Sequence, residues 1–146
     1  MRVLWASGRN RSRGQALVEF SLVFPLMLLL LFGLIDLGRL VYTNNALSEA
    51  AREGARYGSV QARSATDIAG IEAYTVGQVA GIGGVTSAAT CIRPGTVVMA
   101  CAPNDTLEVE ARVTVEMITP VIAQLMSVAG LNPFDLVSTA SVLVNN

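Results

Sequence analysis

The chain has 146 residues, of which 52% are hydrophobic and 14% charged, which is too apolar for an ordinary soluble domain and too short for several domains. Its ten basic residues are all arginine, and the absence of lysine and histidine excludes most general-base, Schiff-base and imidazole-metal chemistry. Four of these arginines lie in the first fourteen residues, which hold no acid, so the other 132 residues carry six arginines against eleven acids, a net charge of −5. We therefore predict a structural protein with a basic tip and an acidic body, which is not an enzyme and does not bind nucleic acid.

Residues 15–35 read QALVEFSLVFPLMLLLLFGLI and contain one charge, Glu19. As a helix with a rise of ~1.5 Å per residue, this segment is roughly 31 Å long and matches a hydrocarbon core of about 30 Å. The arginines before it place the N-terminus in the cytoplasm and the body outside. A cleavable secretory signal has a shorter apolar core and a small-residue cleavage site, so an ordinary signal peptide is disfavoured.

Glu19 is unexpected in this segment, because a carboxylate in hydrocarbon costs several kcal/mol unless it is paired or protonated. The stretch Gly14-Gln15-Ala16-Leu17-Val18-Glu19-Phe20 resembles the prepilin peptidase site of tight-adherence pilins, with a glycine, four residues, then a glutamate and an aromatic. The resemblance extends from Arg13 to Tyr57, RGQALVEFSLVFPLMLLLLFGLIDLGRLVYTNNALSEAAREGARY, which is similar to the TadE-like pseudopilin domain of that type IV pilus system.

The resemblance implies a minor pilin or pseudopilin that is inserted in the inner membrane as a single-pass prepilin. It implies cleavage after Gly14, with Gln15 as the new N-terminus and Glu19 and Phe20 as assembly residues. The implied partners are the lipid bilayer, the prepilin peptidase, other pilin or pseudopilin subunits and the inner-membrane assembly platform. The implied organisation is a basic leader at 1–14, a transmembrane and spine helix at 15–59, and an extracytoplasmic head at 60–146.

Glu19 also has a physical rationale that does not depend on the family. Removal of residues 1–14 creates an α-amine at Gln15, about one helical turn or ~6 Å from Glu19, and a staggered neighbour would bring an amine to the carboxylate. Such a pair favours one packing register rather than large net stability. In the alternative, Glu19 is a tolerated acid near the membrane boundary, and the chain is an uncleaved, signal-anchored binding or adhesin domain.

The helical pattern continues beyond the membrane, and small residues recur along it every fourth position. They form a ridge, called here the small-residue ridge, which consists of Ala46, Ala50, Gly54, Gly58 and Ala62. Such a ridge lets another backbone approach closely. It docks either on the protein's own β-sheet or against a helix of another subunit.

The head is predicted to be a small α+β unit. A second helix follows the capping pattern Ser64-Ala65-Thr66-Asp67 and ends near Gly81, and a short third helix runs from Thr119-Pro120 to Gly130. Strict alternation over Leu107–Met117 indicates a half-buried antiparallel strand. Further strands are expected near Thr96–Cys101 and over Val137–Val144, as a meander of three or four strands whose apolar face lies on the spine helix.

Cys91 and Cys101 are the only cysteines, and a turn at Pro94-Gly95 lies between them. Outside the cytoplasm a disulfide across this loop would persist and contribute ~3 kcal/mol, although two free thiols are the alternative. Two cysteines and no histidine do not suffice for structural zinc, and the spacing is not that of a redox C-x-x-C site. No metal and no cofactor is predicted.

Overall fold

The structure is a computed structural model that describes residues 11–62, 65–94, 96–98, 100–130 and 133–144. Its elements in chain order are α1 (Arg11–Gln61), α2 (Ala65–Gln78), β1 (Thr86–Arg93), β2 (Thr96–Val98), β3 (Thr106–Val115), α3 (Pro120–Val128) and β4 (Phe134–Leu143). This is the predicted α+β arrangement of a long N-terminal helix, a small antiparallel sheet and short helices.

Helix α1 has 51 residues and two different halves. Residues 14–27 in its N-terminal half are mostly apolar and all exposed, and α1 is long and apolar enough to cross a membrane. Pro25 lies inside this half, where proline removes a backbone donor, a defect that membrane helices tolerate. The C-terminal half packs on the rest of the protein through residues such as Leu47 and Ala51, which have no exposed surface.

The four strands form one antiparallel sheet in the order β2-β1-β3-β4. The alternation in β3 points Leu107, Val109, Ala111, Val113 and Val115 toward the helices, and all five side chains are buried. The register places Val109 between Ala89 of β1 and Ala140 of β4, so these three residues share the inner face. Polar and charged residues dominate the opposite face of β3.

The core between helices and sheet consists of two clusters. One joins Ala55 of α1, Ala62 immediately after α1 and Ile71 of α2 to β1, β3 and the disulfide. The other joins Leu47 and Ala51 of α1 to the second half of β3. Both clusters line the same side of the sheet, so α1 is part of the head's core as well as its link to the apolar half.

Several predicted boundaries and the strand order were wrong. Helix α1 extends past Gln15 at its start and Ser59 at its end, α2 ends at Gln78 rather than near Gly81, and β3 stops at Val115 before Met117. A meander would place β2 beside β3, whereas β2 lies at the sheet edge and the unpredicted strand β1 pairs with β3. Residues 1–10 of the predicted leader and Ser64 of the predicted cap lie outside the described residues.

Candidate assembly segment and its attachment to the head

The predicted cleavage and assembly residues occupy consecutive turns of α1. Gly14, Gln15, Glu19 and Phe20 are all exposed. The Gln15 amide nitrogen Nε2 donates a hydrogen bond to Glu19 Oε1 at 3.3 Å, which places the two side chains on one face of the helix. The Phe20 ring stacks on Phe24 with 5.2 Å between ring centroids. The segment is therefore an accessible helical surface with one carboxylate.

Glu19 has an unusual electrostatic setting. It is surrounded on α1 by large exposed apolar side chains, among them Leu17, Val18 and Leu22. Among the residues whose side chains the structure describes, no arginine forms an ion pair with it. A carboxylate at this place in a membrane is costly to bury alone, so it favours a partner that brings a positive charge.

The small-residue ridge lies inside the subunit. Ala50, Gly54, Gly58 and Ala62 are buried and Ala46 is half-buried. A methyl group added to Gly54 would overlap the Thr75 hydroxyl of α2, and one added to Gly58 would overlap Leu107 of β3 and lie 2.9 Å from Ile71 Cδ1 of α2. The ridge is therefore the place where α2 and β3 approach the backbone of α1 closely.

Two charged residues attach the loop after β3 to α1. Asp36 is buried, and its carboxylate accepts the backbone N–H groups of Ile118 at 3.2 Å and Thr119 at 3.0 Å. One turn further along α1, Arg39 Nη1 donates to the Glu116 carbonyl oxygen at 3.2 Å. The sequence did not reveal the bonding role of Asp36 and Arg39, because their partners lie about 80 residues away.

The predicted disulfide between Cys91 and Cys101 is present, and both residues are buried. The Cys101 backbone N–H donates to the Ala62 carbonyl oxygen at 3.0 Å, so the closed loop is also bonded to the end of the small-residue ridge. The loop thereby fixes the C-terminal end of α1 on the sheet.

Asp105 provides a second connection across the same loop. The Arg93 guanidinium donates to both of its carboxylate oxygens, at 3.1 and 2.8 Å, and the Ala102 N–H donates at 2.7 Å. The hydrogen bonds from Arg93, followed by that from Ala102, hold the pKa of Asp105 below its ordinary value of 3.8. This carboxylate is thus a structural acceptor.

Within the described ranges, no three His, Cys, Asp or Glu residues lie close enough together to hold a metal ion. The features that the geometry brings together are instead an exposed apolar helix with one acid, and a head fixed to the same helix. These are elements of attachment and packing.

Residues 14–56 match the family model described as TadE-like protein. The match begins at Gly14, includes Glu19 and Phe20, and ends inside the part of α1 that packs on the head. No curated protein and no solved structure matches the chain.

Proposed function

We propose that this chain, a TadE-like, pilus-associated protein by its match over residues 14–56, is a pilin-like subunit of a tight-adherence pilus. It is inserted in the inner membrane as a prepilin with its head outside. The prepilin peptidase hydrolyses the Gly14–Gln15 peptide bond. The mature subunit then assembles with other pilin or pseudopilin subunits at the inner-membrane platform through the exposed half of α1.

The observation that carries this proposal is the single carboxylate of Glu19 on the exposed apolar half of α1, five positions after the family match begins. An uncharged side chain at this position would be cheaper in a helix that only anchors the protein. The carboxylate of Glu19 therefore has a role that offsets the free energy of placing it in hydrocarbon, and that role is pairing with a cation.

Cleavage would supply that cation at the right place. Hydrolysis of the Gly14–Gln15 bond removes the leader and leaves an α-amine at the new N-terminus. The hydrogen bond from Gln15 to Glu19, which places these two side chains on one helix face, supports such a pairing. When a second subunit is displaced by about one turn, or ~5 Å, its amine meets this carboxylate in a region of low dielectric. The pair then selects one register among the possible lateral packings.

The buried small-residue ridge supports different roles for the two halves of α1. Because Gly54 and Gly58 contact α2 and β3 of their own subunit, this part of α1 serves the fold of the head. The exposed apolar half, which precedes Asp36, is the part of α1 that remains available for packing against other subunits. Assembly through this half leaves the head unchanged.

The test compares the wild-type chain with Glu19→Gln in a host that has the pilus system, with Glu49→Gln as a control. Glu49 is an exposed acid of the same helix outside the apolar half. Intact-mass measurement identifies the N-terminus, and the chain is quantified in the membrane and in the sheared surface fraction. We expect wild type and Glu49→Gln to begin at Gln15 and to enter the filament or its membrane complex, whereas Glu19→Gln reaches the membrane but is lost from the assembly.

Two results would contradict the proposal. A native chain that retains Met1 and its arginine leader would favour the signal-anchored binding or adhesin domain. Assembly of Glu19→Gln at the wild-type level would show that the carboxylate does not set the packing register.

A further inference from the structure

Helix α3 exposes an apolar face that nothing in the described chain covers. None of its nine residues is buried. Val121, Leu125 and Val128 follow one another at helical spacing and are 58%, 69% and 86% exposed, and Ile118 just before the helix is 65% exposed. Contiguous exposed apolar surface of this kind marks contact with a membrane or another protein.

Two contacts fix the position of α3 along the length of α1. Asp36 accepts the N–H groups of Ile118 and Thr119, which immediately precede α3. In the first turn of α3, Ile122 Cδ1 lies 3.2 Å from the position of a methyl group added to Gly33. Residues 33 and 36 lie at the C-terminal end of the apolar segment 15–35. The two contacts therefore place the first turns of α3 at the level where that segment ends.

The sequence around α3 is free of charge. No Asp, Glu, Lys or Arg occurs between Glu116 and Asp135, a stretch that includes all of α3. The face of α3 that packs toward Gly33 carries Ile122, while Gln124 and Ser127 lie on another side of the helix. Burial of this element in lipid therefore desolvates no ionised group.

We propose that α3 is an interfacial helix, which lies in the outer boundary of the bilayer that α1 crosses and inserts Val121, Leu125 and Val128 among the acyl chains. This inference rests on the proposed membrane span. The occupant is lipid because Ile122 of α3 lies against α1 at Gly33, next to the exposed side chains of Leu34 and Ile35, which the same bilayer would cover. Interfacial helices bury their apolar face about 5–10 Å into the boundary between headgroups and acyl chains.

The position of α3 has a consequence for the head. Asp36 and Arg39 attach its preceding loop to α1, and α3 in turn leads directly to β4 of the sheet. A helix held in the interface therefore sets the depth of α1 and brings the sheet close to the membrane surface. Because α3 carries no cation, this contact does not need anionic lipid.

The test uses the full chain in phosphatidylcholine vesicles and a depth-dependent quencher. Both native cysteines are paired in the disulfide, so an introduced cysteine is the only free thiol and can carry an environment-sensitive fluorophore. The probe is placed by Leu125→Cys and Val128→Cys in α3, by Leu26→Cys in the apolar half of α1, and by Thr90→Cys on the open face of the sheet. The quenchers are lipids brominated either near the headgroup or near the end of the acyl chain.

We expect shallow-brominated lipid to quench the probes at 125 and 128 more strongly than deep-brominated lipid, with the reverse order at 26 and no quenching at 90. Addition of phosphatidylglycerol should leave these values unchanged. The two α3 positions keep the test valid if one substitution disturbs folding, because Val128 is 86% exposed at the last turn.

One result would overturn the interfacial helix and leave the membrane span intact: lipid quenches the probe at 26, but quenches the probes at 125 and 128 no more than the probe at 90. Absence of quenching at 26 would overturn the span itself. A third result would also overturn the inference: probes at 125 and 128 that lipid does not quench, and that become shielded from aqueous iodide as the protein-to-lipid ratio rises. That behaviour would assign the face to a second copy of the chain.

Discussion

Asp105 shows how one carboxylate holds the loop between β1 and β3. It is 5% exposed and receives three hydrogen bonds, two from Arg93 and one from the Ala102 amide. Hydrogen bonds to an ionised acceptor are stronger than neutral ones, and the two from Arg93 also fix the direction of the guanidinium. The loop thus depends on the charged form of this group.

Replacement of Asp105 by Asn should lower the melting temperature of the head at neutral pH. The native pKa of Asp105 lies below the unfolded value of 3.8, so its contribution to stability is complete above 3.8 and is lost as the pH falls through the native pKa. The difference between wild type and Asp105→Asn should therefore shrink in this acidic range. Thermal unfolding in detergent between neutral pH and pH values below 3.8 measures this difference.

The matched control is Asp135→Asn on the open face of β4, where the exposed carboxylate accepts a hydrogen bond from Thr114. This substitution should change the melting temperature little at any pH in the series. Equal effects of the two substitutions at neutral pH would show that Asp105 does not hold the loop.

Residues that act through local spacing are the easiest to single out from the sequence. Gly14, Glu19 and Phe20 form a short linear pattern, and their roles in cleavage and assembly stay predictions. The disulfide was predicted because the chain has only two cysteines, and it is present. Asp36 and Asp105 could not be assigned in this way. The partners of Asp36 are 82 and 83 residues away, and Arg93 becomes a neighbour of Asp105 only after β1 pairs with β3.

At the scale of elements, the contact between α1 and α2 depends on the absence of a side chain at Gly54 of the small-residue ridge. Thr75 of α2 is fully buried against Gly54, and its hydroxyl donates to the Ile71 carbonyl oxygen at 2.8 Å. The stacked rings of Tyr57 and Tyr74, 4.3 Å apart, continue the contact. An added methyl group at position 54 therefore has no free space.

Gly54→Ala should destabilise the head by about 1–3 kcal/mol, because the new methyl group forces Thr75 or α2 to move in a packed core. Gly70→Ala in α2 is the control, since a methyl group there meets nothing within 4 Å and replacing a helical glycine by alanine stabilises by about 0.5–1 kcal/mol. Urea unfolding in detergent measures both changes. A Gly54→Ala chain that is as stable as wild type yet fails to assemble would assign the ridge to contacts between subunits.

The strands differ in how well their sequences revealed them. Strand β3 was predicted because its apolar and polar residues alternate, and the structure buries the apolar set. Strand β1 was missed because TSAATCIR lacks large apolar residues at alternate positions, and its inner face carries the small residues Ala89 and Cys91. These small side chains fit under α2, where Glu72 accepts the Ala89 N–H at 3.0 Å. The formation of β1 therefore depends on packing between elements, which the local sequence pattern does not reveal.

At the scale of the whole molecule, α1 combines two surfaces that require different surroundings. Its exposed half suits lipid or other apolar helices, and its second half is part of a core that includes a disulfide. A disulfide persists in an oxidising compartment, whereas four arginines of the leader disfavour passage of the N-terminus through hydrocarbon. Both features predict one orientation, with the leader in the cytoplasm and the head outside.

This orientation can be tested with two single-cysteine additions to the full chain, Ser7→Cys in the leader and Thr90→Cys on the exposed side of the sheet. The host should lack the prepilin peptidase, so that the leader remains attached, and its outer membrane should be removed. A membrane-impermeant maleimide is expected to label Thr90→Cys at once and Ser7→Cys only after the membrane is opened. Labelling of Ser7→Cys in intact spheroplasts would contradict the orientation, because the arginine leader would then have crossed the membrane against its charge. Protection of Thr90→Cys until the membrane is opened would place the head, with its disulfide, in the reducing cytoplasm.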